Sequence, residues 1–337
     1  MNKSDDRTNR AFVNSLAHCR ALGIDVESVG DGAATMRMPW SPELVGDPRT
    51  SVIHGGAVSA LLDTCGGAAV LSHPKNNAPT ATIDLRIDYM RSASPGQSVR
   101  ARAEVYHTTK SVAFVRAQAW DDDEQPVASA TGTFTLTPTR ANSRAWYESL
   151  VQPSGASGMA TQAGATDTGS KRANAAHMPV ERDPDALGTI PYVDFMGITF
   201  DRHGDELTAV MNFAKKLVGN PLIPALHGGA IAGFLEAVAA VELMSRSHSP
   251  ANGGPGQGGM IGDADKGRTD HIKKLPKTID FSIDFLRPGL AETSYARARI
   301  NRFGSRFVSV RVEAWQGQRD RLFAEATGHF LNPVADG

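Results

Sequence analysis

The sequence predicts an α+β protein built from two copies of one domain, each an antiparallel sheet wrapped around a central buried helix. Three observations predict it. His54-Gly55-Gly56-Ala57-Val58-Ser59-Ala60-Leu61-Leu62-Asp63 returns as His227-Gly228-Gly229-Ala230-Ile231-Ala232-Gly233-Phe234-Leu235-Glu236, with five positions identical. A self-match of this kind marks a repeat before any local structure is read. Behind each copy runs a segment that is apolar nearly all round, 57–71 and 230–244. That pattern belongs to a buried helix rather than an amphipathic one. After each helix come segments alternating with period two, the signature of half-buried strands.

Taken in order, residues 12–22 form a short leading helix and 33–38 a first strand. A loop then leads to His54-Gly55-Gly56 and the central helix. Thr82 to Arg91 matches Thr278 to Arg287. Val115 to Trp120 matches Val310 to Trp315, and Ala128 to Phe134 matches Ala324 to Phe330. Thr278, Asp280, Ser282 and Asp284 alternate with Ile279, Phe281, Ile283 and Phe285, so one face of that strand is buried. In the second copy the leading helix shrinks to about 192–196, and 207–213 pairs by position with 33–38. The offset between copies is 173 residues from His54 to His227 and 196 from Thr82 to Thr278. The second copy therefore carries an insertion of about 23 residues, for which the Gly- and Pro-rich stretch 249–270 is the candidate. Residues 152–170 are rich in Gly, Ala, Ser and Thr and read as linker. The domain boundaries fall at 1–140 and 188–337, with 141–187 between them.

Composition narrows the function. A net charge of -1 and the lack of a basic tract leave nothing to attract nucleic acid. The polar start, Met1-Asn2-Lys3-Ser4-Asp5-Asp6, has no apolar core and is no signal peptide. The apolar runs look broken short of the roughly 20 residues that a membrane span needs. Cys19 and Cys65 are the only cysteines, and Cys65 lies in an apolar segment as a small buried hydrophobe. The expectation is a soluble cytoplasmic protein. Gly254-Pro255-Gly256-Gln257-Gly258-Gly259 fits a dinucleotide fingerprint only formally, since it neither follows a strand nor opens a helix. The ten histidines show no zinc spacing.

Two features are left to carry chemistry. Asp63 stands mid-helix among apolar neighbours, and Glu236 repeats it. A buried carboxylate is costly, and its recurrence argues for use. The two glycines after each His permit close approach by a ligand at a helix start, where amide N–H groups and the helix dipole favour an oxyanion. Nine residues at 1.5 Å rise put Asp63 roughly 13 Å along the helix from His54. One reacting carbonyl therefore cannot meet both Asp63 and the amide of Gly55. If acid and oxyanion donor cooperate, the halves must pack about an approximate two-fold, pairing Asp63 with Gly228 and Glu236 with Gly55. Such packing makes an intramolecular pseudo-dimer with the sheets joined edge to edge; further self-association stays open. Arg91 and Arg287 end matched strands, where each can meet a phosphate or simply be solvated.

His-Gly-Gly with an acid in the helix, a Thr-Ile-Asp strand, and the strand ends Tyr89-Met90-Arg91 and Phe285-Leu286-Arg287-Pro288 resemble the hotdog-fold acyl-CoA thioesterases of the phenylacetate type. The resemblance covers both halves and implies a tandem double hotdog. By that resemblance Asp63 and Glu236 are nucleophile or general base, and Gly55 and Gly228 supply the oxyanion amide. His54 and His227 precede those glycines, and Thr82 and Thr278 assist the acid or its water. An Asn before the His polarises the thioester carbonyl. Asn220 stands there in the second copy, while the first copy has Asp47. The set Asp63, Thr82, Asn220, His227 and Gly228 is thus the fuller match, and the set Glu236, Thr278, Asp47, His54 and Gly55 is expected to be weak or idle. The substrate implied is an acyl-CoA, whose CoA is no separate cofactor; a carrier-protein thioester is also open. A non-catalytic acyl-CoA-binding or regulatory module is the alternative. It loses weight because a hotdog regulator needs an added DNA-binding domain, for which the residues before the first strand leave no room. A hotdog dehydratase would need an acid–His pair not seen here.

Overall fold

The computed structural model describes residues 11, 13–76, 80–136, 190–204, 206–220, 225–246 and 276–332, the side chains of Asn220 and Arg246 excepted. The linker 141–187 and the insert 249–270 lie outside the described residues. The first half runs α1 (Ala17–Ala21), β1 (Asp25–Gly30), β2 (Ala33–Met38), β3 (Val45–Asp47), β4 (Val52–Ile53), α2 (Gly55–Leu71), β5 (Thr82–Tyr89), β6 (Val99–Thr108), β7 (Val112–Asp121) and β8 (Pro126–Thr135). The second repeats it as α3 (Pro191–Met196), β9 (Ile198–His203), β10 (Glu206–Met211), β11 (Val218–Asn220), β12 (Ala225–Leu226), α4 (Gly228–Arg246), β13 (Thr278–Phe285), β14 (Ser294–Phe303), β15 (Phe307–Trp315) and β16 (Leu322–Leu331). This is the tandem double hotdog that the resemblance implies.

One antiparallel sheet of 12 strands spans both halves, in the order β1-β2-β6-β7-β8-β5-β13-β16-β15-β14-β10-β9. The join is β5 against β13, with Arg86 opposite Ser282 and Asp84 opposite Asp284. Joining there removes one exposed edge from each half. Outer strands β1 and β9 were not foreseen. Their burial alternates too poorly, with Asp25–Gly30 bulged between Val26 and Ser28.

Helices α2 and α4 lie between the sheet and each other, which is why both are apolar all round. They cross antiparallel at their smallest residues. A Cβ on Gly56 would lie 2.7 Å from the Cα of Gly233, and one on Gly229 would lie 2.5 Å from the Cα of Ala60. No side chain fits at either glycine without moving a backbone. Phe134, Phe281 and Phe330 fill the space between helices and sheet.

Two expectations need correcting. The stretch Gly228–Ser245 is an 18-residue helical run of mean hydropathy 1.4, long and apolar enough to cross a membrane by length and composition. Only Glu236 and Glu242 interrupt it in sequence. As 89% of it is buried inside the fold, it serves here as the core helix. The leading helix is also shorter than 12–22. It breaks at Leu16, whose extended backbone starts α1, and Phe12 lies outside the described residues. Cys19 and Cys65 are both free and buried.

Candidate active site

Each His-Gly-Gly is a helix start held by its own imidazole. The Nδ1 of His54 accepts from the N–H of Gly56 at 2.9 Å, and the Nδ1 of His227 accepts from Gly229 at 2.9 Å. The histidine therefore caps the helix through its second amide and leaves the first, that of Gly55 or Gly228, outside the cap. A ring whose Nδ1 accepts is neutral with its proton on Nε2. For His227 that proton faces the Oγ1 of Thr64 at 3.4 Å. Burial lowers the pKa of His227, with Asp63 pulling the other way; burial takes His54 down to about 4.

The antiparallel crossing brings each helix start to the acid of the other half. A Cβ on Gly228 would stand 2.7 Å from the Oδ2 of Asp63, and the same oxygen lies 3.4 Å from the Nδ1 of His227. With that nitrogen already accepting from Gly229, this contact is not an ion pair. Thr82 donates to Asp63 Oδ1 at 2.7 Å. The strand register shifts between Thr82 and Asp84, and again between Thr278 and Asp280. A bulge of this kind re-aims a side chain, and in both copies it directly follows the threonine that bonds the acid. Asp63 is 4% exposed and Glu236 1%.

Glu236 is held more tightly than Asp63. Thr278 donates to its Oε1 at 2.9 Å, and Tyr89 and Ser59 donate to its Oε2 at 2.8 and 3.1 Å. Its Oε1 closes on the face of Gly55, overlapping the place a Cβ would take. Burial raises the pKa of Glu236, and the bonds from Tyr89, Thr278 and Ser59 oppose that.

The short leading helices cross over as well. His18 and Cys19 of α1 cover His227: the two imidazole rings are 5.4 Å apart, and Cys19 Sγ is 4.0 Å from His227 Nε2. Tyr192 of α3 stacks on His54 at 4.6 Å. His18 bonds the carbonyl of Lys216 at 3.1 Å. Burial, then the neighbouring His227, lowers its pKa to about 3.

The model of the thioesterase superfamily matches residues 50–128 and 224–323, more than half of the chain. The chain belongs to the thioesterase superfamily. It is a thioester hydrolase with the hotdog fold in both halves. It is similar to the medium/long-chain acyl-CoA thioesterase YigI of Salmonella typhimurium, at 30% identity over 37% of this chain and 88% of that protein. YigI of Escherichia coli is 28% identical over the same shares. A solved structure from Novosphingobium aromaticivorans, described as a thioesterase candidate, aligns over 89% of this chain and 96% of its own with a TM-score of 0.55. At 15% identity that likeness speaks for the fold alone.

Within this thioesterase, the remaining expected residues fall as follows. Asn220 ends β11, and its side chain lies outside the described residues. Asp47 is turned into its own loop, accepting from the Arg49 guanidinium at 2.9 and 3.1 Å and from the Arg49 amide at 3.0 Å. Arg91 and Arg287 are not free strand-end cations. Arg91 pairs with Asp121 at 2.7 Å and the Gln125 carbonyl at 3.0 Å. Arg287 bonds the carbonyls of Leu322 and Arg321. These bonds engage part of each guanidinium. Among the described residues no cluster of three His, Cys, Asp or Glu side chains could hold a metal. Ser59, Thr64, Tyr89, His18 and Tyr192 were not foreseen. For Ser59 and Tyr89 a signal existed: the other copy has Ala232 and Phe285 in their places.

Proposed function

We propose that this thioesterase hydrolyses a medium- or long-chain acyl-CoA at a composite site, with Asp63 and Thr82 from the first half and Asn220, His227 and Gly228 from the second. The observation that carries this reading is the contact between Gly228 and Asp63 Oδ2. Asp63 lies roughly 12 Å along its own helix from Gly55, beyond the reach of one carbonyl. The thioester carbonyl oxygen points at the amide of Gly228, which holds the developing oxyanion with the help of the α4 dipole. Asp63, oriented by Thr82, either draws a proton from water or attacks the carbonyl carbon itself. His227 positions the turn; its neutral, capped ring is not the base. The thiolate leaves and takes up a proton as CoA; where Asp63 has attacked, water then cleaves the acyl–Asp63 anhydride to release the free acid, and no separate cofactor takes part.

The division into halves at 1–140 and 188–337, a cytoplasmic location, and the lack of a nucleic-acid or membrane partner belong to the same reading. So does the acyl-chain length, which rests on the names of the two YigI relatives. The test is a thiol-release assay on saturated acyl-CoAs from short to long chain. Turnover should be fastest on medium or long chains. Binding without turnover on every chain length would replace the enzyme with a binding module.

A further inference from the structure

The two copies differ where they meet the acids. Glu236 is one methylene longer than Asp63, and it is met by two hydroxyls whose counterparts beside Asp63 are Ala232 and Phe285. Tyr89 and Ser59 bond Glu236 Oε2 at 2.8 and 3.1 Å and lie 2.6 Å from each other. The three groups form a triangle at the start of α2, and Tyr89 also stands 3.1 Å from the Gly55 carbonyl. Two hydroxyl protons cannot fill three edges. If both point at an ionised Glu236, the 2.6 Å edge between the hydroxyls holds no proton. If Ser59 turns to Tyr89 instead, the 3.1 Å edge from Ser59 to Glu236 is the open one; all three edges close only when Glu236 brings a proton of its own, and a neutral carboxyl is no base. The other titratable groups facing it are Tyr89 from β5 and Tyr192 from α3, whose pKa values burial and then Glu236 both raise. Asp47, expected in the carbonyl-polarising place of this site, is tied to Arg49.

We propose that Ser59 and Tyr89 are a lock: they hold Glu236 across the start of α2 and shut the second site, so that the chain takes one acyl-CoA and not two. This rests on the acyl-CoA reading of the Asp63 site. The lock makes Ser59 and Tyr89 determinants of stoichiometry rather than catalytic residues, since they meet the acid and not the substrate.

The test is a calorimetric titration of the full chain with octyl-CoA, a thioether that cannot be hydrolysed. The unaltered chain should bind one equivalent. The variant Ser59→Ala/Tyr89→Phe/Glu236→Asp gives each position the residue of the other copy, and it should bind two, with a cooperative melt as the check on folding. Two equivalents on the unaltered chain would overturn the lock, as would a folded triple variant that still binds one. A second measurement does not depend on the triple variant. The infrared difference between the unaltered chain and Glu236→Gln at neutral pH should show the loss of a protonated-carboxyl band, and the lack of that band would refute the closed triangle. Failure of every form to bind octyl-CoA would instead count against the acyl-CoA reading.

Discussion

Replacing Asp63 with Asn keeps the shape of the side chain and its place beside Thr82, but removes the charge and the basic lone pair. An amide oxygen can still accept from Thr82 at the 2.7 Å of the native bond, so the group stays oriented. What goes is the acid–base or nucleophilic step, worth at least about 100-fold in kcat, or about 2.7 kcal/mol of transition-state stabilisation. The matching change, Glu236→Gln, swaps a carboxyl already engaged by Thr278, Tyr89 and Ser59 for a neutral group of the same size. It should leave kcat within about twofold, while an unmade buried hydrogen bond costs about 1–3 kcal/mol at most. The assay is CoA thiol release by each variant on the best acyl-CoA, with melting curves as the folding control. A dead Glu236→Gln and an active Asp63→Asn would invert the assignment. Two active variants would refute the carboxylate mechanism altogether.

Three further outcomes follow from the geometry. Thr82→Val removes the 2.7 Å bond to Asp63 and should lower kcat by about tenfold with little change in KM, since one buried hydrogen bond is worth about 1 kcal/mol or somewhat more; an unchanged kcat would strip Thr82 of its role. Gly229→Ala places a methyl 2.5 Å from the Cα of Ala60 and should cost at least the 1–3 kcal/mol typical of overpacking, visible as a lower midpoint in denaturant; no shift would mean that the helices separate easily. His18 and His54 titrate near 3 and 4 when folded, against 6.5 when free. The unfolded chain therefore binds the extra protons, and stability is full above about pH 6.5 and falls as pH drops. Each ring contributes up to about 1.4 kcal/mol per pH unit between its two values. His18→Gln should flatten the loss of stability measured from pH 6 to 4, and an unchanged slope would contradict the burial of that ring.

Much of this was legible in the chain because the chain repeats. The decapeptide located both helix starts and both acids, and helix rise alone implied that, if they cooperate, they do so across the halves. Strand periodicity found β2, β5, β13 and β15, since each alternates cleanly against the core. It missed β1 and β9, whose few buried positions a bulge or a turn interrupts. The hydroxyls of Ser59 and Tyr89 were hidden for a different reason. A lone Ser in an apolar helix and a Tyr at a strand end look like ordinary packing until a partner 147 or 177 residues away comes within bonding distance. His18 left no trace at all, because the leading helices of the two copies share too little sequence to be compared.

The continuous run from β5 to β13 has an evolutionary consequence. When two identical chains assemble into such a body, one codon writes both sites, and any change that spoils one spoils its twin. Here residue 47 can become acidic while 220 stays an amide, and 59 and 89 can acquire hydroxyls while 232 and 285 do not. Covalent duplication can release one half from selection for turnover while keeping it under selection as a wall for the other. It also lets a single substitution address one acid at a time, an experiment that a symmetric pair of identical chains does not permit.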